Sequence, residues 1–241
     1  MLCAFPGFSV CGAEDLRPVL RFGMMAFLQE GTPSGFTTYV NADDYVLRKL
    51  PQILSQSLPE YRVDVKVYRT AALIKVARSG KVDVIFGSSG CYASLLPDGI
   101  YPLATLVTNF APDPNQAVAG AVVVSSRRTD LNSLKDLKHL SAMSGLESMF
   151  FNWQMPASAL LDRGLDPYRF FSSLRQVDQP VPKILQALED GTIDVGLMRA
   201  CVLEGLPIER RKHFKVIEPA EDSPLACAHT SMLFPNWTVG A

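Results

Sequence analysis

The chain has 241 residues, 48% of them hydrophobic and 20% charged, with a formal net charge of −1. That length accommodates one large domain or two lobes of roughly 100 residues each. Near-neutral charge leaves no basic excess to neutralise a phosphate backbone, which argues against nucleic-acid binding, and no apolar run reaches the length of a membrane span.

Residues 1–15 read as a signal-peptide remnant or an ordinary disordered terminus. Met1 to Val10 are apolar, and Ser9-Val10-Cys11-Gly12-Ala13 precedes the charged pair Glu14-Asp15, as at a small-residue cleavage site. Of the five cysteines, Cys3 and Cys11 fall in this leader, while Cys91, Cys201 and Cys227 remain. No C-x-x-C occurs, so a zinc ribbon or thioredoxin site has no support. One disulfide plus one free thiol is the natural reading of three cysteines in an exported protein.

From there the elements alternate. Val19 to Met24 reads as a strand. Asp43 to Leu58 has helical spacing at Val46, Leu50, Ile53, Leu54 and Leu58, with Pro51 expected to kink or split it. Val63, Val65 and Val67 alternate as in a strand. A short helix through Leu73, Val76 and Ala77 stops at Gly80, and Val82 to Phe86 is a buried strand. Gly120 to Val124 is an apolar strand. Ser133 and Asp136 form a capping box for a short helix over Leu134 to Leu137. His139 to Met143 reads as a strand, Ser144 to Ser148 as a turn, and Met149 to Leu161 as a helix ended by Gly164. Asp166-Pro167 opens another helix.

One unit recurs. Ala71 to Val84 runs helix, glycine stop, apolar residue, Asp-Val, and Lys183 to Val195 does the same. Equal spacing separates the two glycines (80 and 191) and the two aspartates (83 and 194). The pattern implies two lobes of one α/β plan, each a mainly parallel sheet flanked by helices. The boundaries place 16–112 plus 208–241 in lobe 1 and 113–207 in lobe 2.

In open α/β sheets, ligands sit beyond the carboxyl ends of strands, near helix N-termini. This rule selects Gly87-Ser88-Ser89-Gly90-Cys91-Tyr92, where Ser88, Ser89, Cys91 and Tyr92 are candidate contacts. It also selects Ser144 and Gly145 after the third-quarter strand, Arg199 as the positive fork for an oxyanion, and Met25 as a cleft wall. Gly/Ser loops offer free backbone N–H groups that hold anions. The alternative for each is structural: an ordinary connection, a salt-bridged arginine, or a core aromatic. His139, His213 and His229 sit in no catalytic or metal motif, and neither a P-loop nor a dinucleotide fingerprint appears. No catalytic residue, metal or cofactor is therefore assigned. Cys91 as a thiolate nucleophile is the one enzyme reading entertained.

Several stretches carry a resemblance: Tyr61-Arg62-Val63, Ala77-Arg78-Ser79-Gly80-Lys81-Val82-Asp83, Ala119 to Val123, Leu134 to Lys138, Gly191 to Arg199, Cys201 to Glu204, and His229 to Trp237. Together they resemble the type II periplasmic binding fold, its phosphonate/phosphite-binding branch, and within that the sensor domain of tetrathionate-type sensor histidine kinases. Ser88-Ser89 and Asp178-Gln179-Pro180 depart from the family pattern. The resemblance implies a two-segment hinge, with the second lobe inserted into the first and closing on a small anion, commonly a sulfur or phosphorus oxyanion. It implies a periplasmic or extracytoplasmic location, no enzymatic activity in this chain and, for a sensor, a membrane-anchored continuation beyond Ala241 and a homodimer. It also implies a Cys201–Cys227 disulfide, with two free thiols as the alternative. A free substrate-binding protein of a phosphonate-type ABC transporter is the second expectation.

Overall fold

The computed structural model describes residues 16–25, 49–108 and 111–241. The expected leader and the start of the helix expected from Asp43 lie outside the described residues.

The first sheet has the order β2-β1-β3-β10-β4. It comprises β1 (Val19–Met25), β2 (Arg62–Tyr68), β3 (Val84–Gly87), β4 (Pro102–Thr105) and, from the far end of the chain, β10 (Thr238–Gly240). β1 pairs in parallel with β2 and β3, whereas β10 runs antiparallel to β3 and β4. Because side chains alternate along a strand, β1 feeds two cores. Phe22 and Met24 join Val63 and Val65 on the face covered by α1 (Leu50–Ser57). Met25 joins Ile85 on the opposite face, under Leu73 and Ala77 of α2 (Thr70–Arg78) and Leu95 of α3 (Ser89–Leu95). Pro51 lies in the first turn of α1, where its missing N–H has no helical partner to lose.

The second sheet has the order β7-β6-β8-β5-β9, from β5 (Gly120–Ser125), β6 (Ser141–Gly145), β7 (Ser173–Val177), β8 (Val195–Arg199) and β9 (Phe214–Val216). β6 is parallel to β7 and β8, and β5 is antiparallel to β8 and β9. Both sheets are thus mixed rather than mainly parallel. Val122, Val124, Ala142 and Leu197 face α4 (Met155–Leu161) and α5 (Pro167–Phe170) through Leu160 and Phe170. Ala121, Val123, Met143 and Met198 face α6 (Pro180–Glu189) through Ile184, Leu185 and Leu188. Burial of both faces explains the near-continuous apolar runs of β5 and β8. A short α7 (Ile208–Arg211) leads into β9. β9 belongs to the second sheet, so the return to the first lobe comes after Val216 and not at 208 as expected: three residues from Phe214 complete the edge beside β5.

The two copies of the repeated unit occupy equivalent places. Gly80 and Gly191 take φ of +63° and +69° at the ends of α2 and α6, a left-handed conformation that glycine adopts without a Cβ penalty. The segment expected to be one helix from Met149 is instead a π-helical turn (Phe150–Gln154) followed by α4. Two chain segments link the sheets, and they pair with each other. Val118 bridges Phe234, Leu106 N–H donates to the Trp237 carbonyl at 2.7 Å, and Asn236 N–H donates to that of Pro114 at 2.9 Å.

Candidate functional site

Arg199 ends β8 at the crevice between the lobes. Its backbone N–H donates to Asn152 Oδ1 at 3.1 Å, which ties the strand end to the π-helical turn. Around it is a cavity of about 50 Å³ whose walls include Thr108, Val118, Phe151, Arg199, Asn236 and Trp237. At roughly 10–15 Å³ per water molecule, that space suits a few waters or one small oxyanion.

Both crossing segments contribute to this wall. Asn236 is buried and donates through Nδ2 to the Leu106 carbonyl at 3.1 Å, while its Oδ1 accepts the Trp237 N–H at 2.8 Å. Trp237 stacks on Phe86 of β3 and on Phe151 of the π-helical turn, with ring centroids 5.5 and 5.3 Å away. The cavity therefore has an apolar, aromatic flank and an edge with Arg199, Thr108 and Asn236, the mixture typical of a small-molecule site. Cys201 also lines it. A disulfide joins Cys201 to Cys227 across a sequence separation of 26 residues, with the Cα atoms 5.0 Å apart. It fastens the end of β8 to the returning segment.

The other sequence-selected residues sit differently. Ser88 is buried and caps α3, accepting the Cys91 N–H at 3.3 Å. Ser89, half-buried, donates to the Pro235 carbonyl at 2.9 Å, so it secures the hinge segment against α3. Met25 is buried, and its sulfur accepts the Thr70 hydroxyl at 3.3 Å. Tyr92 does not reach the crevice: its ring lies in the first lobe's core and its hydroxyl donates to the Ile85 carbonyl at 2.6 Å. Cys91 packs in the same core, and burial pushes its thiol up to about 11. A thiol held in that range stays protonated at neutral pH, which removes the chemical basis for a thiolate nucleophile. Ser144 is fully buried and donates to the Gly145 carbonyl at 2.9 Å. Gly145 is overlaid by Met149 and Asn152, and a Cβ there would come within 2.9 Å of each side chain. These two end β6 rather than forming an open turn, because the strand runs two residues past Met143.

Thr108, Asn236, Phe151 and Trp237 were not selected from sequence. Their role depends on two segments more than a hundred residues apart crossing side by side, and no local pattern reports that. Trp153, on the same π-helical turn as Phe151, lies in the second lobe's core. Among the described residues, no cluster of His, Cys, Asp or Glu is placed to hold a metal ion, and no helix is long and apolar enough to cross a membrane.

Solved structures reproduce this architecture. The chain is similar to XAC2383 from Xanthomonas citri bound to ATP, with 16% identity, coverage of 92% of this chain and 76% of that one, and a TM-score of 0.68. A binding-protein component of an ABC phosphonate transporter from Pseudomonas aeruginosa, PA3383, gives 17% identity, 93% and 68% coverage, and a TM-score of 0.59. PhnD1 from Prochlorococcus marinus in complex with methylphosphonate gives 17%, 92% and 76%, and 0.59. Identities this low speak for a shared two-lobed fold. No curated protein matches the chain. Residues 35–241 match the family described as "ABC transporter, phosphonate, periplasmic substrate-binding protein", and this matches the second of the two expectations rather than the sensor kinase. The chain therefore belongs to that family of periplasmic substrate-binding proteins.

Proposed function

We propose that this chain is a substrate-binding protein that captures a small phosphorus or sulfur oxyanion between its lobes for an ABC importer. The family match across residues 35–241 carries the reading. The cavity supports it, with Arg199 at one edge and aromatic rings at another. Arginine presents a planar fork of donors that suits phosphonate and sulfonate oxygens. The wall is shared: Arg199 comes from the second lobe, Trp237 from the entry to β10, and Thr108 and Asn236 from the crossing segments. A ligand that touches all of them favours the closed arrangement, and its differential affinity for closed over open sets the size of the response. That closed form is what a membrane transporter would recognise. A sensor domain on the same fold would bind the same class of ligand, but the family match favours transport.

Calorimetric titration with methylphosphonate, methanesulfonate, inorganic phosphate and sulfate tests the reading. Saturable binding of at least one, weakened at high ionic strength, is expected. No heat and no thermal shift with any of the four would refute it.

A further inference from the structure

Arg199 lines the cavity from a strand end that is tied by a covalent bond as well as by hydrogen bonds. Just beyond it, the Ala200 N–H donates to the Ala119 carbonyl at 2.8 Å. The next residue, Cys201, turns the chain with a φ of +65°. That left-handed conformation is costly for a residue with a Cβ. Cys201 lines the cavity too, and its sulfur is bonded to Cys227. The bond therefore restrains a disfavoured turn two positions from Arg199.

The packing at this corner is thin. The apolar cluster around the bond is built from Ala111, Ala117, Ala119 and Ala200, with Leu225 and Leu233 beside them. Methyl groups bury little area, so they resist a change of backbone weakly. The segment that carries Cys227 is anchored separately. Ala228 N–H donates to Glu204 Oε1 at 3.0 Å, and the N–H groups of Thr230 and Ser231 donate to the Gly120 carbonyl. Without the sulfur bond that segment keeps these contacts, while the Cys201 turn loses its restraint.

We propose that the Cys201–Cys227 bond positions Arg199 by holding the left-handed turn at Cys201, and that anion binding is therefore redox-dependent. The proposal rests on the anion site described under the proposed function. A dithiol reduces the bond by passing it two electrons and two protons: the dithiol becomes a cyclic disulfide, and Cys201 and Cys227 become thiols. Cys201 then relaxes toward a right-handed or extended conformation, and the strand end carrying Arg199 turns with it. Coupling of this kind is reciprocal. If reduction weakens anion binding by some factor, bound anion opposes reduction by the same factor.

Calorimetry tests this with whichever of methylphosphonate, methanesulfonate, inorganic phosphate and sulfate binds the oxidised chain. The dithiothreitol-reduced chain, and Cys201→Ala with Cys227→Ala, should each bind about 10-fold more weakly, the factor that holding one non-glycine residue left-handed represents. Cys201→Gly with Cys227→Ala should recover most of that loss, because glycine keeps the turn without the bond. A role in stability alone predicts no such recovery. Circular dichroism establishes that the variants are folded. If they fail to fold, the reciprocal measurement on the wild-type chain decides: alkylation and peptide mapping at a fixed dithiothreitol concentration should find less reduced Cys201 and Cys227 with the anion than without it. Equal affinity in the oxidised and reduced chains overturns the proposal and leaves the anion site standing. A glycine variant as weak as the alanine one, or an anion without effect on reduction, overturns it as well. No binding of any of the four anions by the oxidised chain refutes the site itself, and the coupling falls with it.

Discussion

Asp83 and Asp194 grip their neighbouring strands in the same way, one in each lobe. Asp83 sits one residue before β3 and accepts the backbone N–H and guanidinium of Arg21 on β1. Asp194 sits one residue before β8 and accepts the backbone N–H and hydroxyl of Ser141 on β6, at 3.1 and 2.8 Å, and Arg128 Nη1 at 2.7 Å. Each aspartate returns its own N–H to the carbonyl of the residue it holds. The sequence repeat thus has a structural meaning: a carboxylate that pins the register of two parallel strands at the end opposite the crevice.

Acid sensitivity follows from that clamp. Burial alone would raise the Asp194 carboxyl, but the Ser141 hydroxyl and N–H, together with Arg128, outweigh it and hold the group below its ordinary value. A depressed carboxylate contributes stability that is complete above the unfolded value near ~3.9 and is lost as pH falls through the folded value. Urea denaturation should therefore show a plateau above about pH 5 and a decline below about pH 4. Asp194→Asn should flatten the decline and lower the plateau by about 1–3 kcal/mol. Asp83 is lowered too, through hydrogen bonding from Arg21, but that pair is more exposed and screened, so Asp83→Asn should cost less.

The Cys201–Cys227 bond closes a loop spanning β9 and the returning segment. Loop-closure entropy of that span corresponds to roughly 3 kcal/mol. Reduction under non-denaturing conditions, or Cys201→Ser with Cys227→Ser, should lower the unfolding free energy by about that amount. Denaturation curves with and without reductant measure it. A loss below about 1 kcal/mol would mean that the reduced chain keeps the loop together by other contacts.

Cys91 should be chemically silent in the folded protein. It is 1% exposed, and its thiol lies near 11. Alkylation at pH 8 followed by peptide mapping should leave Cys91 unmodified in native protein and fully modified in urea. Native labelling at the rate of an exposed thiol would contradict the packing around α3.

Gly120 begins β5 where the chain enters the second lobe. A Cβ there would meet the Pro156 nitrogen at 2.2 Å and the Met155 carbonyl carbon at 2.6 Å. Those are backbone atoms of α4, which cannot swing aside. Gly120 also donates to Ser231 Oγ at 2.8 Å, and its carbonyl accepts the N–H groups of Thr230 and Ser231. Gly120→Ala must push α4 away or loosen the crossing segment. It should cost about 3 kcal/mol, the upper part of the overpacking range, read by chemical denaturation.

The parts of this fold legible in sequence are those with a local cause. The helix stops at Gly80 and Gly191 need a left-handed residue, the Ser133–Asp136 capping box is a fixed spacing, and the alternation of β2 is a period of two. Site residues were harder to place. The strand-end rule names where a ligand sits along a strand but not which way a side chain turns, and Tyr92 and Ser144 turn inward. Glycines in the loop after β3 read as an anion cradle, yet Gly90 makes room for a ring more than fifty residues later. The disulfide rested on family resemblance alone, since three cysteines permit three pairings. Asn236 and Thr108 become neighbours of Arg199 only through the long-range crossing of two segments.

Arg199 is the sequence-selected residue on which the binding proposal turns most directly. It lines the cavity at the end of β8, and Asn152 fixes its backbone. A guanidinium paired with an oxyanion makes charge-assisted hydrogen bonds, each worth about 1.5–3 kcal/mol when the pair is shielded from water. Arg199→Ala should weaken binding of the tightest of the four test anions at least ~10-fold, the factor that about 1.4 kcal/mol represents. Arg199→Lys keeps the charge but loses the two-pronged geometry, so it should fall between the two. Calorimetry on folded variants, checked by unchanged thermal stability without ligand, measures both. Equal affinity in all three proteins would remove Arg199 from the site and move the anion to another wall of the crevice.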